Sequence, residues 1–403
     1  MGGSATALAR RSAFRFVLII GIVSLFADMT YEGARSVNGP WLAVLGASGA
    51  VVGVVAGLGE LLGYGLRIVS GRLSDRTQAY WPVTLVGYAV QMVAVPALAL
   101  AGSWQVAAGL IVLERIGKAL RNPPRDAMLA HAGARIGRGW AFGLHEALDQ
   151  AGALIGPLVV ALVLFLRGEY PLAFGVLAVP AILTLATLGA ARLAYPDPTG
   201  AAARPADLHT AHLPRALWIY TVGAMLVAAG FADFSLMAYH FERTGSVDPI
   251  LVPIFYAAAM GAGGLGSLVA GRLFDRVGVR LLVPLTAATC LFAPLAFLGD
   301  ARAALVGSIL WGVGMGVHES ILAAAVGELV PPARLASAYG LFTTLYGVAW
   351  FAGSAAMGIL YDRSIGALVV LSVLLELAAL PFFWRVRRRL GGPTADPELS
   401  PGG

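Results

Sequence analysis

The chain has 403 residues, of which 58% are hydrophobic and only 12% charged, with a mean hydropathy of +0.79. Soluble globular chains carry about 25% charged residues, so this one cannot solvate a water-facing surface. A secreted protein, a cytosolic enzyme and a DNA-binding domain are therefore excluded, and the formal charge of +6 speaks of membrane topology rather than of nucleic acid.

In chain order, Arg10, Arg11 and Arg15 precede the first apolar run, and no small-residue cleavage site follows them. They read as the anchor of an uncleaved first helix. Apolar runs near the ~20 residues that span a bilayer predict helices at 16–36, 48–69, 82–101, 104–122, 140–165, 171–191, 216–238, 249–270, 281–299, 303–327, 337–360 and 365–384. Twenty of the 28 basic residues then fall on one side. Four lie on the other (Arg167, Arg243, Arg302, Arg363) and four within spans (Arg35, Arg67, Arg115, Lys118). Basic residues in short loops stay inside the cell, so both termini are expected in the cytoplasm of a bacterial plasma membrane. The stretch 192–215, with Pro196, Pro198, Pro205 and Pro214, reads as a flexible cytoplasmic linker between bundles at 1–191 and 216–390. Residues 391–403 read as a disordered tail. Cys290, the one cysteine, lies in an apolar run and serves packing.

The two halves repeat. Gly71-Arg72-Leu73-Ser74-Asp75-Arg76 recurs as Gly271-Arg272-Leu273-Phe274-Asp275-Arg276, and Phe26-Ala27-Asp28 as Phe231-Ala232-Asp233. Phe142-Gly143-Leu144 and Gly156 align with Tyr339-Gly340-Leu341 and Gly353. Matches in one order at similar offsets predict an all-α membrane protein with twelve transmembrane helices in two pseudo-symmetric six-helix bundles, related by an axis along the membrane normal.

On these motifs the chain resembles the major facilitator superfamily over nearly its full length. Gly71, Leu73, Asp75 and Arg76 match the family's G-x-L-a-D-R-x-G-R-R turn, although Thr77-Gln78-Ala79-Tyr80 lacks the later glycine and basic pair. The copy running through Gly278 and Arg280 is closer. The resemblance implies that Gly71, Asp75, Arg76, Gly271, Asp275 and Arg276 are gating residues bracing neighbouring helix ends. Gly152-Ala153-Leu154-Ile155-Gly156-Pro157 resembles the family's G-x-x-x-G-P element, which is associated with proton-exchanging exporters. Glycines four apart let helices approach closely, and Pro157 loosens the helix behind them, so Gly152, Gly156 and Pro157 are further gating candidates.

Ionisable groups inside a span are costly, so each should face a wet cavity or a partner. Asp28, Glu32 and Arg35 form one stripe of the first span at i, i+4 and i+7. A purely structural pair of Asp28 or Glu32 with Arg35 is the competing account. Glu114, Lys118, Arg121 and Arg125 form a stripe on the fourth span, where Arg121 and Arg125 also fit a membrane-surface marker. Arg115 occupies the place of the family's fourth-span arginine, and the resemblance implies that it assists proton coupling. Asp149 on the fifth span is expected to neutralise Arg115 or Lys118. His318-Glu319 follows a glycine run on the tenth. Glu60, Arg67 and Glu376 are further single intramembrane charges.

The expected function is proton-coupled efflux of a small molecule by alternating access. Asp28, Glu32, Arg115, Lys118 and Asp149 are the proton-coupling candidates. Tyr31, Arg35, Arg121, Asp233, His240, His318 and Glu319 are the candidates for a cavity between spans 1, 4, 5, 7, 10 and 11. A facilitator or importer of a nutrient or metal ion is the alternative, and an intramembrane enzyme a remote one. With no phosphate loop, metal-ligand cluster or nucleophile elbow in the sequence, no cofactor and no catalytic residue is expected. The expected partners are a small-molecule substrate, protons and the lipid bilayer, with no nucleic acid, and the chain is expected to be a monomer.

Overall fold

The computed structural model describes residues 2–196, 214–317, 322, 325–326, 329–330 and 335–390, and among them there is no strand. Most of the linker, the tail 391–403, His318 and Glu319 lie outside the described residues. The first half comprises α1 (Gly2–Val44), α2 (Gly49–Thr77), α3 (Tyr80–Ala97), α4 (Trp104–Ile136), α5 (Arg138–Arg167), α6 (Tyr170–Val176) and α7 (Ala178–Ala194). The second comprises α8 (Arg215–Gly230), α9 (Phe234–Thr244), α10 (Leu251–Val277), α11 (Leu282–Thr289), α12 (Phe292–Leu298), α13 (Ala301–Val317), α14 (Leu335–Arg363) and α15 (Ile365–Leu390). Three predicted spans are thus built in two pieces: the sixth from α6 and α7, the seventh from α8 and α9, the ninth from α11 and α12.

By length and composition, ten described segments can cross a membrane. The two remaining predicted spans fall short for visible reasons. Glu114, Arg115, Lys118 and Arg121 interrupt α4, and α13 is apolar but short in its described part, Ala301–Gly316. Phe165, Ile182, Leu265 and Val93 point outward, each more than half exposed. Outward apolar side chains are costly in water and suited to lipid. The chain is a multi-pass membrane protein.

The repeat is visible in packing. Gly152 and Gly156 of α5 meet the α1 backbone at Leu25 and Met29, and Gly353 of α14 meets the α8 backbone at Ala229. A Cβ at any of these would collide with main chain, so the small residues set the helix separation. Helix α5 continues to Arg167 despite Pro157.

Two ends of the bundle differ. Where α1 turns into α2, the halves are sealed together. Gly53 and Gly57 of α2 sit against Ser354 on α14, and Gly53 also against Gly358. The Asp362 carboxylate accepts hydrogen bonds from the amides of Gly49 (2.8 Å) and Ala50 (2.9 Å) at the start of α2. Tyr239 donates to the Ala47 carbonyl at 2.9 Å, and Tyr170 to Glu242 at 2.6 Å. Toward the opposite end, where α1 begins, a cavity lies between the halves.

The duplicated turn is also resolved. Asp75 accepts a hydrogen bond from Tyr80 at 3.0 Å, within its own α2–α3 turn, while the Asp275 side chain lies outside the described residues. Gly71 lies 3.5 Å, measured from an added Cβ, from Pro123 on α4, and Gly271 has open space. Gln78 ends α2 with φ 55°, and Gly278, its repeat equivalent, has φ 61°. A side chain in the left-handed region costs roughly 1 kcal/mol that glycine avoids. A compensating bond from Gln78 Nε2 to the Asp75 carbonyl is 2.8 Å long. Gln78→Gly is therefore expected to raise the midpoint of thermal unfolding in detergent by a gain of up to ~1 kcal/mol. A clear fall would show that the Gln78 bond outweighs the backbone strain.

Candidate functional site

Helix α1 carries the central stripe, and its neighbours supply the counter-charges. Arg35 donates to Asp233 at 3.0 Å and to Glu60 on α2 at 3.3 Å. Glu60 also takes Arg115 at 3.1 Å, so one carboxylate serves two guanidiniums. Lys118 lies 4.0 Å from Glu32, whose other oxygen accepts a short hydrogen bond from Tyr256 on α10. Arg121 reaches Asp28 at 3.4 Å, Gln91 at 2.6 Å and Tyr88 at 2.8 Å. Gln91 in turn donates to Glu114 at 2.7 Å. Arg125 pairs with Asp126 at 2.8 Å and donates to Ser24, which sits 2.7 Å from His145.

Several expectations change. The structural pair within α1 does not form, because Arg35 is claimed by Asp233 and Glu60. Arg121 is no surface marker: it is 1% exposed, sunk between α1, α3 and α4. It thus stands behind the cavity wall rather than on it. Asp149 does not neutralise Arg115 or Lys118. It faces Asp28 and Arg125 instead, while Arg115 is held by Glu60 of α2. One Asp149 oxygen is buried with no hydrogen-bond partner among the described residues.

The cavity measures about 400 Å³. Its polar wall comes from α1 (Asp28, Glu32, Arg35), α2 (Arg67), α4 (Lys118, Asn122) and α5 (Glu146, Asp149, Gln150). Small and flexible residues of α10 and α13, among them Gly263, Met260, Gly312 and Met315, complete it. Among the described residues, spans 2 and 8 therefore line it in place of the expected 7 and 11. The sealed end accounts for this, because it presses α9 and α14 against α1 and α2. His240 is consumed there, 3.1 Å from the Tyr361 hydroxyl, and does not line the cavity. Asp233 is likewise off the wall: it caps α9 by accepting the Ser235 amide at 2.9 Å while holding Arg35. Tyr31 lines only a side pocket of about 60 Å³ with Glu60, Arg67 and Arg115, its ring 3.7 Å beneath the Lys118 ammonium. His318 and Glu319 lie outside the described residues.

The sequence reading missed Tyr256, Gln91 and Tyr88, neutral polar residues that carry no charge signal in an apolar helix. It named Glu60 but not its role as a shared counter-ion. The broken seventh span had a local signal, since Asp233 before Phe234-Ser235 is an N-cap pattern inside an apolar run.

With helices 1, 2 and 5 of one half set against 7, 11 and 8 of the other, and a polar cavity between, the family can be tested directly. The sequence matches the Major Facilitator Superfamily family model over residues 17–354. The chain belongs to that superfamily of transporters. It is 43% identical over 383 residues to an uncharacterized protein of Mycobacterium tuberculosis, covering 93% of this chain and 94% of the relative. It is 26% identical to an uncharacterized MFS-type transporter of Methanocaldococcus jannaschii, covering 88% and 90%. Over 151 residues, 38% of this chain and 37% of the relative, it is 29% identical to the multidrug resistance protein MdtH of Edwardsiella ictaluri. In fold it resembles the nucleoside transporter NupG, with TM-score 0.75 at 14% identity over 94% of this chain and all of that one. A bacterial homolog of the human lysosomal transporter Spinster, inward-facing and unoccupied, gives TM-score 0.71 at 14% identity, covering 94% and 97%.

Two carboxylates, Glu60 within the network and Glu376 outside it, are expected to respond oppositely to neutralisation. Glu60→Gln removes the shared counter-ion of Arg35 and Arg115, and breaking a buried pair costs about 3–5 kcal/mol. The lower end of that range is expected, since Arg35 keeps Asp233. Glu376 on α15 is fully buried, and among the described residues it has only Thr289 at 3.4 Å, with its other oxygen unpartnered. Glu376→Gln is expected to be neutral or stabilising. Unfolding curves of the two variants in detergent check the order, and the reverse order would contradict this account of the network.

Proposed function

We propose that this transporter is a proton-coupled exporter of a small molecule, acting as a monomer in the bacterial plasma membrane by alternating access. The observation that carries the reading is the carboxylate pair Asp28 and Asp149 at the cavity, with one Asp149 oxygen buried and unpartnered. Two carboxylates face to face in a medium of low dielectric repel, and a single proton between them removes the repulsion. Arg121 and Arg125 from α4, Ser24 and His145 flank the pair. Proton loading and release at this point would thus be felt by α1, α4 and α5 together. Helix α1 begins and α15 ends at the cavity end, and the excess of basic residues on that side supports a cytoplasmic orientation for it. The described conformation is then open inward and sealed outward.

In this reading, substrate enters from the cytoplasm as the pair releases its proton. The halves then rock about their mutual contact, and a proton from outside displaces substrate. Glu32 joins the coupling through Lys118, which ties α1 to α4, and through Tyr256, which ties α1 to α10 across the halves. Arg115 sets the field through Glu60. The G-x-x-x-G-P element of α5 and the partial similarity to a multidrug resistance protein support export over import. Asp75 and Asp275 remain proposed gating residues, acting in the outward-open state.

The test is flux in proteoliposomes with and without an imposed pH gradient. Asp149→Asn and Asp28→Asn are each expected to cut gradient-driven transport at least ~10-fold while substrate exchange without a gradient persists. Equal gradient-driven rates in both variants would remove the pair from coupling. Uptake unaffected by the gradient in the unaltered protein would favour the facilitator instead.

A further inference from the structure

The cations of the central network are unequally spent. Arg35, Arg115, Arg121 and Arg125 each hold a carboxylate at 3.0, 3.1, 3.4 and 2.8 Å respectively. Arg67 holds none among the described residues. Its guanidinium lies 5.5 Å from the centre of the Tyr64 ring, and it lines both the cavity and the side pocket. Lys118 lines the same two spaces. Its contact with Glu32, at 4.0 Å, is the longest of the ion pairs, and Tyr256 already serves that carboxylate. An unpaired cation at membrane depth is expensive unless water or a ligand meets it.

The wall opposite has the other sign. Glu146 and Asp149 line the same space from α5, with Gln150 bonded to Glu146 at 2.9 Å. A solute of one sign would be attracted by one wall and repelled by the other. About 400 Å³ falls low in the range of ~300–1,000 Å³ for small-molecule pockets.

We infer that Arg67 and Lys118 form the carboxylate subsite for a small zwitterionic solute, whose ammonium end faces Asp149 and Glu146 across the cavity. A planar guanidinium fork matches a carboxylate with two parallel bonds, and the lysine adds a point charge. Tyr64 and Tyr31 hold the two cations from behind. The inference rests on the transporter reading above and adds the substrate class. It also supplies a reason for coupling, since the ammonium and the proton compete for the same carboxyl.

The test uses purified full-length protein in detergent, without any gradient, and three matched probes at millimolar concentration: phenylalanine, N-acetylphenylalanine and phenylalaninamide. Thermal-shift titration is expected to show the zwitterion binding most tightly. Arg67→Gln should weaken zwitterion binding ~10-fold or more, the loss of a charge-assisted contact, and should leave the amide unchanged. Arg67→Lys should restore most of the affinity, which separates lost charge from lost folding. The inference is overturned if the amide binds as well as the zwitterion, if no probe binds, or if Arg67→Gln binds the zwitterion normally. Zwitterion binding that needs Arg67 in a protein with no gradient-driven flux would sink proton coupling and leave the subsite standing. Gradient-driven flux of the amide that persists in Arg67→Gln would do the opposite.

Discussion

Everything in the middle of this molecule depends on how Arg35 is neutralised. A guanidinium at membrane depth must be matched, and here the match comes from two directions. Glu60 belongs to the same half, and Asp233 to the other. The Asp233 contact spans the boundary along which a transporter's halves move, as does the bond from Tyr256 to Glu32. These polar contacts stabilise a particular arrangement of the halves as well as the fold. They also make that arrangement sensitive to charge, because protonating or displacing one member changes what its neighbours must do.

Around this polar layer, the packing is governed by small residues. Glycine approaches join α5 to α1, α14 to α8, and α2 to α14. The first two are repeat-related contacts within the halves, whereas the third crosses between them. The same device thus both builds each bundle and closes one end of the pair. The cap that Asp362 places on the first amides of α2 adds a charged acceptor where a helix exposes unsatisfied donors.

Much of the architecture was legible because bilayer length and basic-residue bias are written in composition. Twelve spans and the repeat followed from apolar runs and from the duplicated turn. Stripes on α1 and α4 were visible as helical spacing, and both do converge. Their partners were not visible. Pairing depends on which faces the helices present after packing, and spacing within one helix carries no information about its neighbour. Arg121 illustrates the difficulty: next to Arg125 near a predicted span end, it reads as a surface residue, yet Gln91, Tyr88 and Asp28 bury it. His240 failed for the converse reason, since a polar residue in a span was assigned to the cavity when the sealed end had already claimed it. Gln78 departs from the family pattern yet keeps the positive φ of Gly278, while its ψ of 20° differs from the glycine's −152°.

The broken seventh span has a mechanical consequence. Helix α1 runs as one rod of 43 residues, while its repeat counterpart is interrupted at 231–233, between α8 and α9. At the break, Trp311 donates to the freed carbonyl of Ala232 at 2.8 Å, and Asp233 takes the Ser235 amide. The joint is thus satisfied without being helical. One half turns as a stiff lever, while the other contains a knuckle beside the very carboxylate that grips the lever. Of the three broken spans, this is the one whose break adjoins a cross-half ion pair, so a change of charge at Arg35 acts directly on the joint between α8 and α9.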